Sequence, residues 1–239
     1  FSGRITAPLV AVGGILIPAL EKKGIKIGTH IKRCGNVSDR DFADLAEDIE
    51  NLNNTDFAVL DGDAEFKMTE EIMNARKNGD SVGGILETAV IGLPCGVGEP
   101  WFDTAESLLS HALFSIPAVK GVEFGAGFGF GSMNGSSAND AFRIKDGKVI
   151  TETNNSGGIN GGITNGMPVI FRTAFRPTPT ISKPQNTVDI SKNENAVLNA
   201  RGRHDPCIVH RARVVQDSVT ALALLDLLIQ RYGERWLTE

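Results

Sequence analysis

The densest group of chemically active side chains is the segment Arg-Gly-Arg-His-Asp-Pro-Cys at residues 201–207. Its two guanidinium groups have the fork geometry that binds phosphate or carboxylate groups. Asp205 supplies a carboxylate that can accept a proton. It is equally well placed to cap the long helix predicted after it, with Pro206 at the first helical position. His204 by itself is more often a structural, hydrogen-bonding histidine than a catalyst. The segment therefore predicts anion binding, with Asp205 as a chemical group or as a helix cap.

A second cationic segment consists of Arg176, Pro177, Thr178, Pro179 and Thr180. It brings one cation and two hydroxyl groups onto a turn that the prolines stiffen. Such a turn can hold phosphate oxygens, or it can simply end a strand.

A glycine-rich tract, Asn-Asn-Ser-Gly-Gly-Ile-Asn-Gly-Gly-Ile-Thr-Asn-Gly, occupies residues 154–166, and Gly161 lies within it. Paired glycines let the backbone approach a ligand closely, and successive exposed N–H groups can bind an anion. The tract lacks the Gly-Lys-Ser/Thr of a Walker loop and is not a GxGxxG motif that opens a helix. Either a flexible surface loop or a seat for a phosphate or a planar ring fits it.

Composition and charge narrow the function classes. The 239 residues carry a net charge of −5, which excludes a general nucleic-acid or anionic-membrane binder. No apolar run reaches the roughly 18 residues that a membrane span needs. The three cysteines form no CxxC pair and the histidines have no metal-ligand spacing, so we predict a reducing compartment and no metal. The cations gather late: residues 167–213 hold eight Lys/Arg against three Asp/Glu. That bias fits either an anion site or a solvated face.

Hydrophobic patterning supplies the elements that position these segments. Helices are predicted over residues 5–23, within the acidic stretch 39–71, over 67–78, from an Asp103 cap to about 114, and over 208–232. Strands are predicted over residues 25–32, 82–91, 119–124, 142–144, 148–150, 167–176 and 187–190. No repeat or linker divides the chain, so residues 1–239 are predicted to form a single α+β domain.

Together these segments resemble chorismate synthase. Residues 154–163 resemble the glycine-rich signature of that family, and residues 202–207 its late signature. Further matches are residues 79–83, 98–103 and 115–121, and residues 1–4 resemble the end of an earlier motif. The resemblance follows the family order over nearly the whole chain. The acidic stretch fits the family least, and we interpret it as variable surface.

The resemblance implies a lyase that converts 5-enolpyruvylshikimate 3-phosphate to chorismate and phosphate by anti-1,4-elimination. It implies reduced FMN as cofactor, with NADPH as reductant where the enzyme reduces its own flavin. The family begins with a segment that carries two catalytic histidines, which this sequence lacks, so we expect the chain to be N-terminally incomplete and inactive alone. The alternative is a non-catalytic relative that binds flavin or a phosphorylated metabolite.

The resemblance also implies roles for individual residues. Asp205 is the expected proton-handling residue near the flavin, and Arg4 and Arg203 are expected to bind the substrate. The expected FMN contacts are Phe1, Ser2, Pro117, Ala118, Gly161, Arg176, Pro177, Thr178, Pro179, Thr180 and Arg203. The family often has Lys where this chain has Arg176. The implied fold is a β-α-β sandwich of antiparallel sheets around a helical layer, and the implied assembly is a cytoplasmic homotetramer.

Overall fold

A computed structural model describes residues 3–237, which form six α-helices and eleven strands. The helices are α1 (Ala7–Lys22), α2 (Leu45–Asn53), α3 (Gly62–Lys77), α4 (Ala105–Phe114), α5 (Gly135–Ala138) and α6 (Val209–Tyr232). The strands are β1 (Lys26–Cys34), β2 (Val37–Ser38), β3 (Gly84–Ile91), β4 (Val119–Phe124), β5 (Phe142–Lys145), β6 (Lys148–Thr151), β7 (Ile159–Asn160), β8 (Ile163–Thr164), β9 (Val169–Phe175), β10 (Gln185–Asp189) and β11 (Glu194–Leu198). Short 3₁₀ helices lie at Gly3–Thr6, Trp101–Asp103, Gly127–Ser132 and Glu234–Leu237.

Five strands form one antiparallel sheet in the order β2-β1-β3-β9-β4. The remaining strands pair as the ribbons β5-β6, β7-β8 and β10-β11. The central part of β3 is buried on both faces, which requires a layer on each side of the sheet. The α+β prediction is confirmed.

A helical layer of α1, α4 and α6 covers one face of the sheet. At its centre, the hydroxyl of Thr29 in β1 donates to Asp217 in α6 at 2.5 Å, and the side-chain amide of Gln216 donates to Thr88 in β3 at 2.7 Å. Burying these polar groups as hydrogen-bonded pairs avoids the cost of leaving them unsatisfied. The pairs also fix the position of α6 on β1 and β3. They therefore fix where the first turn of α6 lies.

The acidic stretch covers the opposite face of β1. Ile49 and Leu52 of α2 are buried there, and a Cβ on Gly28 would lie 2.8 Å from the Ile49 side chain. His30 is buried between two carboxylates, with Nδ1 2.7 Å from Asp39 and Nε2 3.0 Å from Glu87. The interpretation of this stretch as surface was therefore wrong for the side that faces β1. The apolar residues on that side are buried, so the stretch forms a layer of the fold.

Helix α1 and the turn before it, Gly3–Lys22, are long and apolar enough to cross a membrane by length and composition, with a mean hydropathy of 1.6. Such a segment was not predicted from the sequence, because small and polar residues interrupt its apolar run. A single such helix near a chain start is weak evidence for a span. Here α1 packs along α6, and Gly13 lies directly against Ser218.

Most predicted elements are confirmed within a few residues, and β4 agrees at both ends. The predicted Asp103 cap is wrong, because Thr104 is the N-cap of α4 and its hydroxyl accepts the Ser107 N–H at 3.0 Å. Strand β11 was missed, and α3 begins five residues before its predicted start.

Candidate active site

Four strand ends define one edge of the large sheet. Cys34, the last residue of β1, pairs with Gly84 at the start of β3. Gly84 pairs with Phe175 at the end of β9, and Phe175 pairs with Val119 at the start of β4. The segments that enter or leave these strands must therefore meet at this edge, which we call the Phe175 edge.

The first two segments that meet there are those around Ala118 and Arg176. The backbone N–H of Arg176 donates to the carbonyl of Ala118 at 3.0 Å. Ala118 has a φ of +78°, a conformation that non-glycine residues adopt only when their surroundings enforce it. The structure thus joins Pro117 and Ala118 to the predicted segment of residues 176–180.

The third segment, residues 201–207, is tied to the others through the chain before β3. The hydroxyl of Ser81 donates to the Thr178 carbonyl at 2.6 Å, and the Val82 N–H donates to the Pro206 carbonyl at 2.8 Å. Gly83 lies between them, where a Cβ would be 2.5 Å from the Phe175 carbonyl. Residues 81–83 were noted as a family match and were not predicted to position the site.

Helices α1 and α6 bring Arg4 to the same edge. They run parallel, since Gly13 meets Ser218 midway and Lys23 lies 5.3 Å above the Trp236 ring at the far end. The start of α1 therefore lies beside the start of α6, and Arg4 is in the 3₁₀ helix that leads into α1.

The Phe175 edge is strongly cationic. Arg176, Arg201 and Arg203 are exposed, and none of their guanidinium groups forms an ion pair with any residue in 3–237. Such groups are available to the oxygens of a phosphate or carboxylate ligand.

Two buried polar atoms of the segments 176–180 and 201–207 have no hydrogen-bond partner among residues 3–237. They are the Thr178 hydroxyl oxygen and Nε2 of His204. Because buried polar groups are nearly always satisfied, both atoms are open to a hydrogen bond with a polar ligand or with water. A structural, hydrogen-bonded His204 was predicted, because a single histidine gives no local signal that could indicate this open nitrogen.

Asp205 forms an ion pair with Arg211 in the first turn of α6. The N-cap of α6 is Ile208, three residues later, and no side chain caps that helix. Among the described residues, Asp205 accepts no backbone hydrogen bond of a cap, and Pro206 is not the first helical residue. The capping alternative is therefore wrong.

Comparisons with known proteins show the family of this chain. The family model "Chorismate synthase" matches residues 1–229. The chain belongs to the chorismate synthase family. It is 47% identical over 231 residues to the chorismate synthase of Thermococcus kodakarensis, which covers 97% of this chain and 64% of that relative. The chain is 43% identical over 231 residues to the chorismate synthase of Dehalococcoides mccartyi. That match covers 96% of this chain and 63% of that relative. The chain thus spans less than two thirds of the length of these relatives.

A solved structure, "Crystal Structure of Chorismate Synthase", superposes with a TM-score of 0.80 at 29% identity. The superposition covers 97% of this chain and 65% of the chain in that structure. This match confirms the predicted fold class. Within residues 3–237, one large sheet with its helical layer is present.

One predicted site residue of this chorismate synthase family member lies elsewhere. The N–H of Ala105 donates to the Gly162 carbonyl at 2.8 Å, which places Gly161 beside the start of α4. The N–H of Ile170, at the start of β9, donates to the Gly157 carbonyl at 3.2 Å. The glycine-rich tract therefore lies at the opposite end of the seven-residue β9 from the Phe175 edge, roughly 20 Å away at the rise of a strand. Phe1 and Ser2 lie outside the described residues.

No group of three or more His, Cys, Asp or Glu side chains in residues 3–237 is placed to hold a metal ion. The groups described above at the Phe175 edge are guanidinium donors, hydroxyls, the His204 imidazole and the Asp205 carboxylate.

Proposed function

We propose that this chain carries the cofactor- and phosphate-binding part of a chorismate synthase. The reaction converts 5-enolpyruvylshikimate 3-phosphate to chorismate and inorganic phosphate by anti-1,4-elimination with reduced FMN. The observation that supports this most directly is the meeting of three separate chain segments at the Phe175 edge. In the segments 176–180 and 201–207, three guanidinium groups and two buried polar atoms lack partners within residues 3–237.

The open groups at this edge fit FMN, which combines a phosphate with a heteroaromatic ring. The guanidinium groups of Arg176 and Arg203 suit its phosphate oxygens, and the Thr178 hydroxyl can donate to the same group. Nε2 of His204 offers a further polar contact to a ring heteroatom or a phosphate oxygen. Pro117, Ala118, Pro177, Pro179 and Thr180 complete the proposed wall around it. Gly161 stays a predicted contact outside this cluster.

The substrate brings a phosphate and carboxylate groups, for which we propose Arg4 and Arg203. Cleavage of the carbon–oxygen bond leaves negative charge on the departing phosphate. Fixed cations beside that charge lower the barrier, because they stabilise it more in the transition state than in the ground state.

Asp205 is the residue that we propose to handle a proton. Arg211 contacts its Oδ2, while Oδ1 makes no hydrogen bond with residues 3–237 and can take up a proton. Reduced FMN, when bound, supplies electron density to the elimination and recovers it, so no net oxidation occurs. The protein orients both ligands and keeps water away from the reacting atoms.

Three further features of the family are proposed for the whole protein: NADPH as an electron source for the flavin, a homotetrameric assembly and a cytoplasmic location. They rest on membership of the family, whose relatives carry the name of a biosynthetic enzyme.

The binding proposal is tested in a hybrid enzyme, in which this chain replaces the matching 231 residues of the Thermococcus kodakarensis relative. Arg203→Ala should weaken anaerobic binding of reduced FMN by roughly 10- to 150-fold, the loss of one charge-assisted contact. The matched control is Arg143→Ala, an exposed arginine paired with Glu152 on the β5-β6 ribbon, which should leave binding unchanged. Equal affinities in both variants would contradict the proposed FMN site.

A further inference from the structure

Two cysteines face each other directly beneath the Phe175 edge. Cys34 is the last residue of β1, and Cys207 lies between Asp205 and α6. Their sulfurs are 3.9 Å apart, and each residue is only 1% exposed. The third cysteine, Cys95, is exposed in the loop after β3. The proposed function uses none of these thiols.

Backbone pairing on both sides holds the two sulfurs in contact. Cys34 pairs with Val37 of β2 and with Gly84 of β3. Cys207 follows Pro206, whose carbonyl accepts the Val82 N–H at 2.8 Å. A disulfide has an S–S distance of about 2.05 Å. The sulfurs would thus need to approach by less than about 2 Å, a movement within the reach of side-chain torsions.

The pKa values of the two thiols shift in opposite directions. A hydrogen bond from the Cys34 thiol lowers the pKa of Cys207, the His210 imidazole lowers it further, and together they outweigh burial. The same hydrogen bond and burial raise the pKa of Cys34. The His210 ring is itself stacked on Phe57, with centroids 6.3 Å apart. The lowered pKa of Cys207 favours this thiol as the nucleophile and leaves Cys34 as the resolving thiol.

We propose that Cys34 and Cys207 form a reversible intramolecular disulfide with hydrogen peroxide as oxidant, tying the segment that carries Arg203 and Asp205 to the end of β1. The Cys207 thiolate attacks one peroxide oxygen, the O–O bond breaks, and the released hydroxide takes up a proton to form water. The sulfur of Cys34 then attacks the resulting Cys207 sulfenic acid. An S–S bond forms, the S–O bond breaks, and the Cys34 proton leaves with the hydroxide as a second water. Two thiols are oxidised and one peroxide is reduced. This inference does not depend on the proposed function.

The first test uses the 239-residue chain with Cys95→Ser, which removes the exposed thiol. Thiol titration under denaturing conditions should count two thiols before treatment with excess peroxide and none after it. Peptide mass mapping should find residues 34 and 207 joined, and dithiothreitol should restore both thiols. Persistence of both thiols after peroxide, or over-oxidation of Cys207 with Cys34 still a thiol, would overturn the proposal.

The second test assigns the order of attack. In Cys34→Ser/Cys95→Ser, a sulfenic-acid probe such as dimedone should label Cys207, because the resolving thiol is gone. In Cys207→Ser/Cys95→Ser, the probe should leave Cys34 unlabelled under the same conditions. Labelling of Cys34 alone would overturn the assigned roles.

The disulfide would join two residues that are 173 positions apart in the sequence. Because closing so long a loop lowers the entropy of the unfolded chain, the oxidised chain should have a Tm about 5–15 °C above that of the reduced chain. A lower Tm on oxidation would show that the bond forms only by distorting the fold, and would overturn the view that native geometry prepares it.

Discussion

Arg211 in the first turn of α6 forms an ion pair with Asp205, six residues earlier, across the start of that helix. Arg211 is 61% exposed and Asp205 31% exposed, so the pair contributes little to folding stability. Its consequence is geometric, because the guanidinium holds one carboxylate oxygen, while the other makes no hydrogen bond with residues 3–237. Arg211, which was not predicted from the sequence, is therefore expected to position Asp205.

In the hybrid enzyme, Arg211→Ala should lower kcat while leaving Tm and the affinity for reduced FMN close to those of the parent. Arg211→Lys should recover part of the loss, since it restores the charge without the fork geometry. Steady-state kinetics under anaerobic conditions measure both. A parallel loss of kcat and Tm would instead indicate a structural role.

Asp205→Asn in the hybrid enzyme should lower kcat by about tenfold or more, because acid–base groups contribute roughly 10²–10⁴-fold and an amide cannot take up a proton at neutral pH. Since Ile208 is the N-cap of α6, neither Asp205→Asn nor Asp205→Ala should show the loss of about 1 kcal/mol expected for a cap. Thermal unfolding and turnover of both variants are the measurements. Normal turnover in Asp205→Asn would rule out the proton-handling role.

The buried His30 should give the fold a pH dependence. Burial lowers the pKa of His30, but hydrogen bonds to Asp39 and Glu87 outweigh it, so the pKa lies above its ordinary value. A raised pKa in the folded state means that the stabilisation is fully present below about pH 6.5 and is lost as the pH rises through the folded pKa.

The free energy of unfolding of the wild-type chain should therefore exceed that of His30→Gln by more at pH 6 than at pH 9. Urea titrations at both pH values measure this difference. His111→Gln, at an exposed position in α4 outside these contacts, should show no such trend. A His30 difference that is constant or grows with pH would contradict the assignment of a charged His30.

Adjacent glycines in α1 provide a matched pair for the contact between α1 and α6. A Cβ on Gly13 would lie 2.1 Å from the Ser218 hydroxyl, whereas nothing lies within 4 Å of one on Gly14. Gly13→Ala should cost about 1–3 kcal/mol through overpacking. Gly14→Ala should stabilise the chain by about 0.5–1 kcal/mol, because alanine favours the helix. Urea titrations measure the free energy of unfolding of both variants. Equal changes in the two would mean that α1 and α6 do not meet at Gly13.

Local patterns were sufficient to predict the elements with strong periodicity or clear turn chemistry. Strand β4 and the β5-β6 ribbon were found, and the Asp146-Gly147 turn has the positive φ values of 50° and 73° that suit such a hairpin. Strand β11 escaped because its residues are mostly exposed and leave no apolar alternation. At α4, Asp103 and Thr104 both have capping side chains, and only the tertiary position of the helix selects Thr104.

The residues of the candidate site could be predicted from the sequence, but their positions relative to one another could not. The cations and hydroxyls of residues 176–180 and 201–207 were identified from their own chemistry. Their meeting at one edge depends on strand order, which no local pattern contains. The contact between Cys34 and Cys207 likewise depends on strand order. The separation of Gly161 from the Phe175 edge follows from the direction and length of β9.

The most direct test of the proposed function is product formation by the hybrid enzyme. Under anaerobic conditions with reduced FMN, it should convert 5-enolpyruvylshikimate 3-phosphate to equal amounts of chorismate and phosphate, and should form neither product without reduced FMN. A folded hybrid that binds reduced FMN and the substrate yet releases no phosphate would contradict the assignment of this chain to chorismate formation.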